Sequence, residues 1–463
     1  MLAGATLFGR RGSGVVVNLP LTSLAGKVAG GLTYTRASGQ WYQDDAGVWQ
    51  YAAANVPAFN AKGVLLEPGS TNKCTCYGTI PADAYAAAVT SGSVLVLGRK
   101  YEIVARVTTD FTTKGATDNT VGTQFVLTSA CTLGAGDSVK EVQFGIGTKS
   151  YHNGTAFVQN HTGVNLSGDP GFVVSTIADA AALGTKHVNL VTSGKTYRLD
   201  NSAGAGAAFA LFEGTAGNAN ACSGSAFVKT AGTSGLSALR LTPSTSNSVT
   251  LTNTAGEYVR VKFENKTPTA TDCLEVRVNQ GEVVDVFIPQ LEELPFCTSP
   301  MPTAGATATR AVTLPSFSAA GNIKSNNFTV LVDLFHPVSV PAGAQRVLAW
   351  YVDLNNRGGV YVDSGATGGF SRVSGVTASS VTAAPPAVGA TQKIAVRFTP
   401  AGVTTVHNGN ARATSAASPD AVMGETLYLG SDGQGGGHFN GYIKNLRIYR
   451  KPLSDAQLIA MTT

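Results

Sequence analysis

The chain alternates between apolar and polar positions over short distances. The stretches 94–97 (VLVL), 100–106 (KYEIVAR) and 124–127 (QFVL) have the length and character of strands, and a period of two is that of a strand with one face on a core. Further runs at 205–213, 226–230, 238–243, 248–252, 257–264, 273–279 and 283–288 are separated by Gly, Asn or Ser clusters. Strands spaced so closely leave no room for helical crossovers, which favours a β-sandwich over a parallel α/β sheet. Asp44-Asp45-Ala46-Gly47, between Tyr42 and Val48, predicts a hairpin over 40–52. Ser454, followed three positions later by Gln457, has the form of a capping box opening a short helix. The predicted fold class is all-β, with several β-sandwich domains in tandem.

This pattern breaks near residue 289. Val286, Phe287 and Ile288 are β-formers and Pro289 closes their run; Pro295, Pro300, Pro302 and Gly305 follow, which is linker chemistry. Arg310 to Leu314 then reads as extended chain entering another unit. The predicted order is a Gly-rich leader at 1–30, an aromatic-rich hairpin motif at 31–72 and a β-rich module at 73–195. A sandwich at 196–297, a linker at 298–315 and a final unit at 316–463 follow. Tyr34, Trp41, Tyr42, Trp49, Tyr51 and Phe59 crowd the second segment; such density serves either core packing or an exposed platform for sugar rings.

Composition narrows the function classes. A chain of 463 residues exceeds one ordinary core. Hydrophobic residues make up 43% and charged residues 13%, the latter far below the usual quarter and unlike a disordered chain. The net charge of +5 is spread thinly with no basic block, which argues against nucleic-acid binding. No apolar run approaches the ~20 residues of a membrane-spanning helix. Arg10 and Arg11 follow the short apolar piece around Leu7 and Phe8 rather than preceding it, the wrong order for a secretory signal, so synthesis in the cytoplasm is expected. Six cysteines are too sparse for a disulfide scaffold, and Cys74-Thr75-Cys76 lacks a second ligand pair at zinc spacing.

Catalytic patterns are equally sparse. Glu292-Glu293 and Asp44-Asp45 lie in linker or turn sequence, and neighbours on a strand point to opposite faces. The six histidines are scattered, and neither H-x-x-x-H nor G-x-S-x-G occurs. No enzyme activity is expected.

Two stretches carry a family resemblance. TYTRASGQWYQDDAGVWQYAAANVPAFNAKGVLLEPGSTN at 33–72 and PQLEE…SPMPTAGATATRA at 289–311 resemble a linked pair of motifs that recurs in tailed-bacteriophage structural proteins. Residues 98–137 resemble a small turn-rich module of phage fibres. The last unit, with its LYLG strand, Gly-rich loop and FNGYIKNLRIY close, resembles a concanavalin-like or laminin-G-like lectin sandwich, although the E-x-D-x-x-E pattern of the related glucanases is missing. The resemblance implies a virion surface protein, a head or tail fibre or decoration subunit, homotrimeric by the habit of such fibres. It would contact other virion proteins and assist attachment to host-surface glycans. A dedicated tail adhesin and a capsule depolymerase are the alternatives. Residues 1–30, with Leu7, Phe8, Arg10 and Arg11, become the candidate virion-attachment segment. In the lectin-like unit the candidate glycan-binding loop residues are Asp353, Asn355, Asn356, Asp363, Asn408, Asp432, His438 and Asn440. Their oxygens suit calcium, but the same residue types are also default turn formers. No other cofactor is expected.

Overall fold

A computed structural model of the protein describes the chain except residues 1–14, 23–30, 75–83, 86–87, 98–99, 146–149, 153–155, 160–164, 168–172, 178–183, 194–195, 204–206, 213–220, 233–234, 243–247, 269–272, 304–305, 320–322, 324–326, 339, 383–385, 411–412 and 416–423. Among the described residues the regular structure is β-strand, apart from 3-10 turns at Phe111–Lys114 and Val188–Ser193 and the helix Asp455–Thr462. The protein is all-β. It divides into two units, one of residues 1–70, 298–300 and 310–463, the other of 71–297 and 301–309.

The first unit is a sandwich of two antiparallel sheets. One runs in the order Thr33–Thr35, Leu314–Ser318, Thr426–Leu429, Gln345–Asp353, Asn356–Val362, Thr367–Val373, Val376–Thr382. The other runs Ala413–Thr414, Gly402–His407, Thr391–Thr399, Phe328–Phe335, Gly441–Tyr449, Gly63–Leu66, Phe59–Asn60, with Val15–Pro20 also on Gly441–Tyr449. The strand FTVLVDLF shows why the layers form. Phe328, Val330, Val332 and Leu334 turn inward to the main core with Trp350, Leu348, Val360, Val396 and Ile448. Leu331 faces the other way, into a smaller cluster with Leu453 and Leu458 of the terminal helix. Phe328, Trp350 and Phe398 pack at centroid distances of 4.7 to 5.7 Å, and each such ring contributes on the order of 2–3 kcal/mol by burial.

Chain order and spatial order differ from the expected linear sequence of segments. Val15–Pro20, placed by sequence in an attachment segment, pairs Leu19 with Leu446 and Val17 with Ile448. The strand Gly63–Leu66 pairs Val64 with Ile443. Gly441–Tyr449 would otherwise be an edge, and exposed edges are a liability; the N-terminal strands cover it. Residues 316–463 therefore do not stand alone as a sandwich. The predicted linker also differs, because Thr298, Ser299 and Arg310 are buried. Leu7, Phe8, Arg10 and Arg11 lie outside the described residues.

The two resemblance motifs meet in one buried polar network. Arg36 is fully buried; its guanidinium donates to Tyr34 Oη, Gln40 Oε1 and the carbonyls of Ser38, Ala52, Ala53 and Val56 at 2.6 to 3.1 Å. Gln40 passes a bond at 2.5 Å to Glu67. Glu67 accepts from Ser299 N and Oγ and pairs with Arg310 at 3.1 Å. Arg310 donates in turn to Ser299 Oγ and the Pro68 carbonyl. Positions more than 230 residues apart in sequence, Glu67 and Ser299, are thus hydrogen-bond partners.

In the second unit, strands Val173–Ile177, Thr196–Asp200, Val283–Glu292, Cys222–Thr230 and Val259–Lys266 form one sheet. Ala208–Phe212, Cys273–Val278, Ala238–Thr242 and Ser248–Thr250 form the other. They share a core of Tyr197, Phe212, Leu239, Leu274, Val284 and Leu291, and the strands of this sandwich run from Val173–Ile177 to Val283–Glu292. A further sheet around Lys100–Ala105 and Ser138–Gly145 has its own core of Tyr101, Ile103, Phe111 and Phe125. Asn72 is fully buried and fully bonded: it donates to the Pro289 and Met301 carbonyls and accepts from Cys74 N and Leu291 N.

The predicted hairpin at 40–52 is present, with Gln40–Gln43 on Trp49–Ala52 and Asp44 accepting from Ala46 and Val48. Trp41 and Trp49 are buried in it and Tyr51 is exposed. The capping box also forms: Ser454 N donates to Gln457 Oε1 and Gln457 N to Ser454 Oγ. Replacing Ser454 by alanine is expected to cost about 1 kcal/mol, visible as a small fall in the thermal midpoint.

Candidate functional site

The eight expected loop residues do not form one cluster. In the hairpin of Gln345–Asp353 with Asn356–Val362, Gln345 pairs with Val362 and Asp353 with Asn356. The turn at Asp353, Asn355 and Asn356 therefore sits at one end of the sheet, and Asp363 at the other. Asp353 accepts from Asn355 N, Asn356 N and Asn356 Nδ2, while Asn356 Oδ1 accepts from Ser374 N. Asp363 accepts from Gly365 N, and Asn408, at φ 48°, accepts from Lys393 N on the other sheet. All are turn bonds. Asn440 is buried rather than displayed in a loop. These residues make no common cation shell, and among the described residues no three of His, Cys, Asp and Glu gather as metal ligands. Asp363, Asp432 and His438, however, do come together around residues that the sequence did not single out.

Those residues stand on the outward side of the seven-stranded sheet. In Asn356–Val362 the inward positions are Gly358, Val360 and Val362, and alternation turns Arg357, Gly359 and Tyr361 outward. Register carries the same face across the sheet. Tyr361 opposes Arg346 on one side and Gly368 on the other. Phe370 opposes Gly359, Arg357 opposes both Tyr351 and Arg372, and Tyr428 opposes Ala349. Each of Tyr361 and Phe370 thus has a glycine as its cross-strand partner, so rings replace side chains missing next door. The two rings meet edge to face at 6.1 Å. The Arg346 guanidinium lies 4.3 Å from the Phe370 centroid and 5.6 Å from that of Tyr361, a cation–π stack.

The Gly-rich loop after Thr426–Leu429 closes one end of this face. Asp432 Oδ1 accepts from Gln434 N and Gly436 N, which curls the loop. Gly433 has φ +78°, and a Cβ there would sit 2.4 Å from the Tyr428 ring. Gly437, at φ +59°, would meet Arg346 Cγ at 2.8 Å. Only glycine lets the loop press so close. His438 turns its ring back to the Gly435 carbonyl at 3.1 Å.

Electrostatics mark the same cluster. Burial, then the neighbouring Arg357, lowers the pKa of Arg346, while Asp432 and Tyr361 oppose the shift. Burial, then Asp363, raises that of Tyr361. Burial lowers that of His438, opposed by the Gly435 backbone and Asp432. Asp363, Asp432 and His438 therefore form a rim, and Arg346, Tyr361 and Phe370 the floor. The signal in the sequence was the pair of stretches NRGGVYV and TGGFSRV: two Gly-Gly steps on adjacent strands, each with an aromatic within two positions after it.

A second concavity belongs to the other unit. A cavity of about 500 Å³ is lined by Arg198, Lys229, Thr230, Glu282 and Asp285 among others. Its charges are largely spent on each other: Asp285 holds Arg198 through two bonds at 2.8 and 3.0 Å and Lys229 at 3.5 Å.

Comparison with known proteins gives a partial placement. Residues 306–459 match the concanavalin A-like lectin/glucanases superfamily, so the C-terminal part of the chain is a concanavalin-like, laminin-G-like sandwich. No curated protein matches the chain. Among solved structures, it is similar to domain 4 of AbnA, a GH43 extracellular arabinanase from Geobacillus stearothermophilus, in complex with arabinotriose. That match is 20% identical and covers 34% of this chain and 77% of that one, with a TM-score of 0.28. The Ruminococcus gnavus IT-sialidase CBM40 bound to alpha2,6 sialyllactose is 17% identical, with 32% and 92% covered and a TM-score of 0.27. A heptameric SAP-like pentraxin from Limulus polyphemus is 12% identical, with 32% and 75% covered and a TM-score of 0.25. Scores this low carry no argument about ligands.

Proposed function

We propose that this protein binds glycans through the outward face of the seven-stranded sheet, and does so as a structural subunit on the surface of a tailed-phage particle. One observation carries the binding half of the proposal: Arg346 stacks on half-buried Tyr361 and on Phe370 on the outward side of the sheet, and half-buried Tyr351 and Tyr428 lie on the same side. Aromatic rings cover the C–H faces of sugars, and a guanidinium offers paired donors to their hydroxyls. The match of residues 306–459 to a lectin and glucanase superfamily supports it. The phage half rests on the motifs at 33–72 and 289–311, whose signature side chains Arg36, Glu67, Ser299 and Arg310 serve one network. A shared structural purpose is a physical reason for such motifs to travel together. Binding without cleavage belongs to the same proposal, as does assembly into a trimer.

Arg346→Ala and Tyr361→Ala are each expected to weaken binding on a glycan array at least tenfold, about 1.4 kcal/mol, with the circular dichroism spectrum unchanged. Equal binding by the variants would remove the sheet face as the site. Antibody labelling of intact particles tests the rest, since unlabelled virions with the epitope accessible would sink the virion assignment.

A further inference from the structure

The charges on this sheet face have one sign where the strands meet. Arg357 and Arg372 are direct cross-strand partners on the outward side. Side chains so placed have Cβ atoms about 5 Å apart, and like charges there destabilise a sheet. Arg346, on the neighbouring strand, is close enough for Arg357 to disfavour its charge. Elsewhere in the chain Arg198, Arg240, Arg310 and Arg397 each hold a carboxylate. Among the described residues none is within ion-pairing distance of Arg346, Arg357 or Arg372. The Arg357 Nε is buried without a hydrogen-bond partner, and Arg372 is held by its Nε to the Gly375 carbonyl at 3.2 Å. Arg346 has the Phe370 and Tyr361 rings as partners, but the facing charges of Arg357 and Arg372 have no carboxylate within ion-pairing distance among the described residues to offset them.

We infer that the ligand of this face is an acidic saccharide, a sugar chain bearing carboxylate, sulfate or phosphate groups that lie over Arg357 and Arg372. The inference rests on the proposed glycan site and adds the ligand's charge and orientation. Asp363 and Asp432 rim the Arg346 end and repel an anion there, whereas the Arg357–Arg372 end has two arginines against the single Asp353 of the adjoining turn. The acidic group is therefore directed to the Arg357–Arg372 end, with the sugar ring against Tyr361. Arginine suits the role because its planar fork matches carboxylate, sulfate and phosphate oxygens in pairs.

The test uses the full chain on a biosensor surface with dextran and dextran sulfate, which share one backbone, together with polygalacturonate, a glycerol-phosphate teichoic acid and a single-stranded oligonucleotide. At least one acidic polysaccharide is expected to bind ten times more tightly than dextran. Its advantage should shrink severalfold between low and high salt, as screening requires. Comparison of the three acidic polymers identifies the anionic group. Arg357→Gln and Arg372→Gln should each erase the preference. Arg372→Gln should also hold or raise the ligand-free melting temperature, because it relieves the like-charge contact; a variant that melted far lower would show the pair to be structural and overturn the inference. Dextran binding as tight as dextran sulfate, insensitive to salt, would overturn the acidic ligand and leave the glycan site standing. No binding to any polysaccharide would remove the site itself, and an oligonucleotide held as tightly as the best polysaccharide would overturn the saccharide assignment.

Discussion

Replacing Glu67 by alanine is expected to destabilise the first unit by about 3–5 kcal/mol, the usual cost of removing one partner from a buried ion pair. Glu67 and Arg310 side chains are 4% and 2% exposed. Truncation would leave the Arg310 guanidinium in the interior without its counter-charge, and Gln40 Nε2, Ser299 N and Ser299 Oγ would lose the acceptor they now share. Glu67→Gln keeps the shape and one acceptor oxygen, so a smaller loss is expected. The measurement is unusually clean, because Trp41, Trp49 and Trp350, all the tryptophans of the chain, lie in the first unit. Denaturant unfolding followed by tryptophan fluorescence therefore reports that unit, and circular dichroism reports both. The fluorescence midpoint should fall sharply while a circular-dichroism transition of the second unit stays in place. An unchanged fluorescence midpoint would mean that the network does not hold the unit together.

Acid should weaken the same unit in a defined window. His336 is fully buried, its ring edge-on to Phe439 at 4.9 Å, and neither ring nitrogen has a well-formed hydrogen bond. Burial pushes its pKa down to about 4, opposed in part by the Asn440 backbone. The folded state thus resists protonation that the unfolded chain accepts near 6.5. The stabilisation is whole above that value and is lost as pH falls from about 6.5 to about 4. The loss across the window is on the order of 3 kcal/mol. His407, bonded to Gln392 at 3.0 Å and also lowered by burial, acts in the same direction. Stability from fluorescence-monitored unfolding between pH 7 and 4 should decline accordingly, and His336→Leu should flatten much of the slope. A wild-type protein equally stable at both ends would contradict the burial of a neutral imidazole.

Much of the fold was legible in the sequence because strand periodicity and turn chemistry are local signals. The hairpin at 40–52 and the helix cap at Ser454 came from residues within four positions of each other. The division of the chain was less legible, because pairing between Val15–Pro20 and Gly441–Tyr449 leaves no local trace. Proline-rich sequence at 295–302 looked like a linker although its polar groups are buried partners of residues before position 73. The candidate site was obscured for a related reason. Asp and Asn attract attention in loops, yet Asp353, Asp363 and Asp432 spend acceptors on their own turns. Arg346, Tyr361 and Phe370 become a group only when register sets three strands side by side.

The pairing of Val15 with Tyr449 has a consequence in time. During synthesis the first strand emerges more than 400 residues before the strand it covers. At roughly 5–20 residues per second, that is a wait of about 20 to 90 s. For that interval the VVVNLP segment has no native partner, while the second unit can complete its own sheets. The first unit closes only after the second has been made, around a strand made before both, and until then the VVVNLP segment is exposed to wrong pairing.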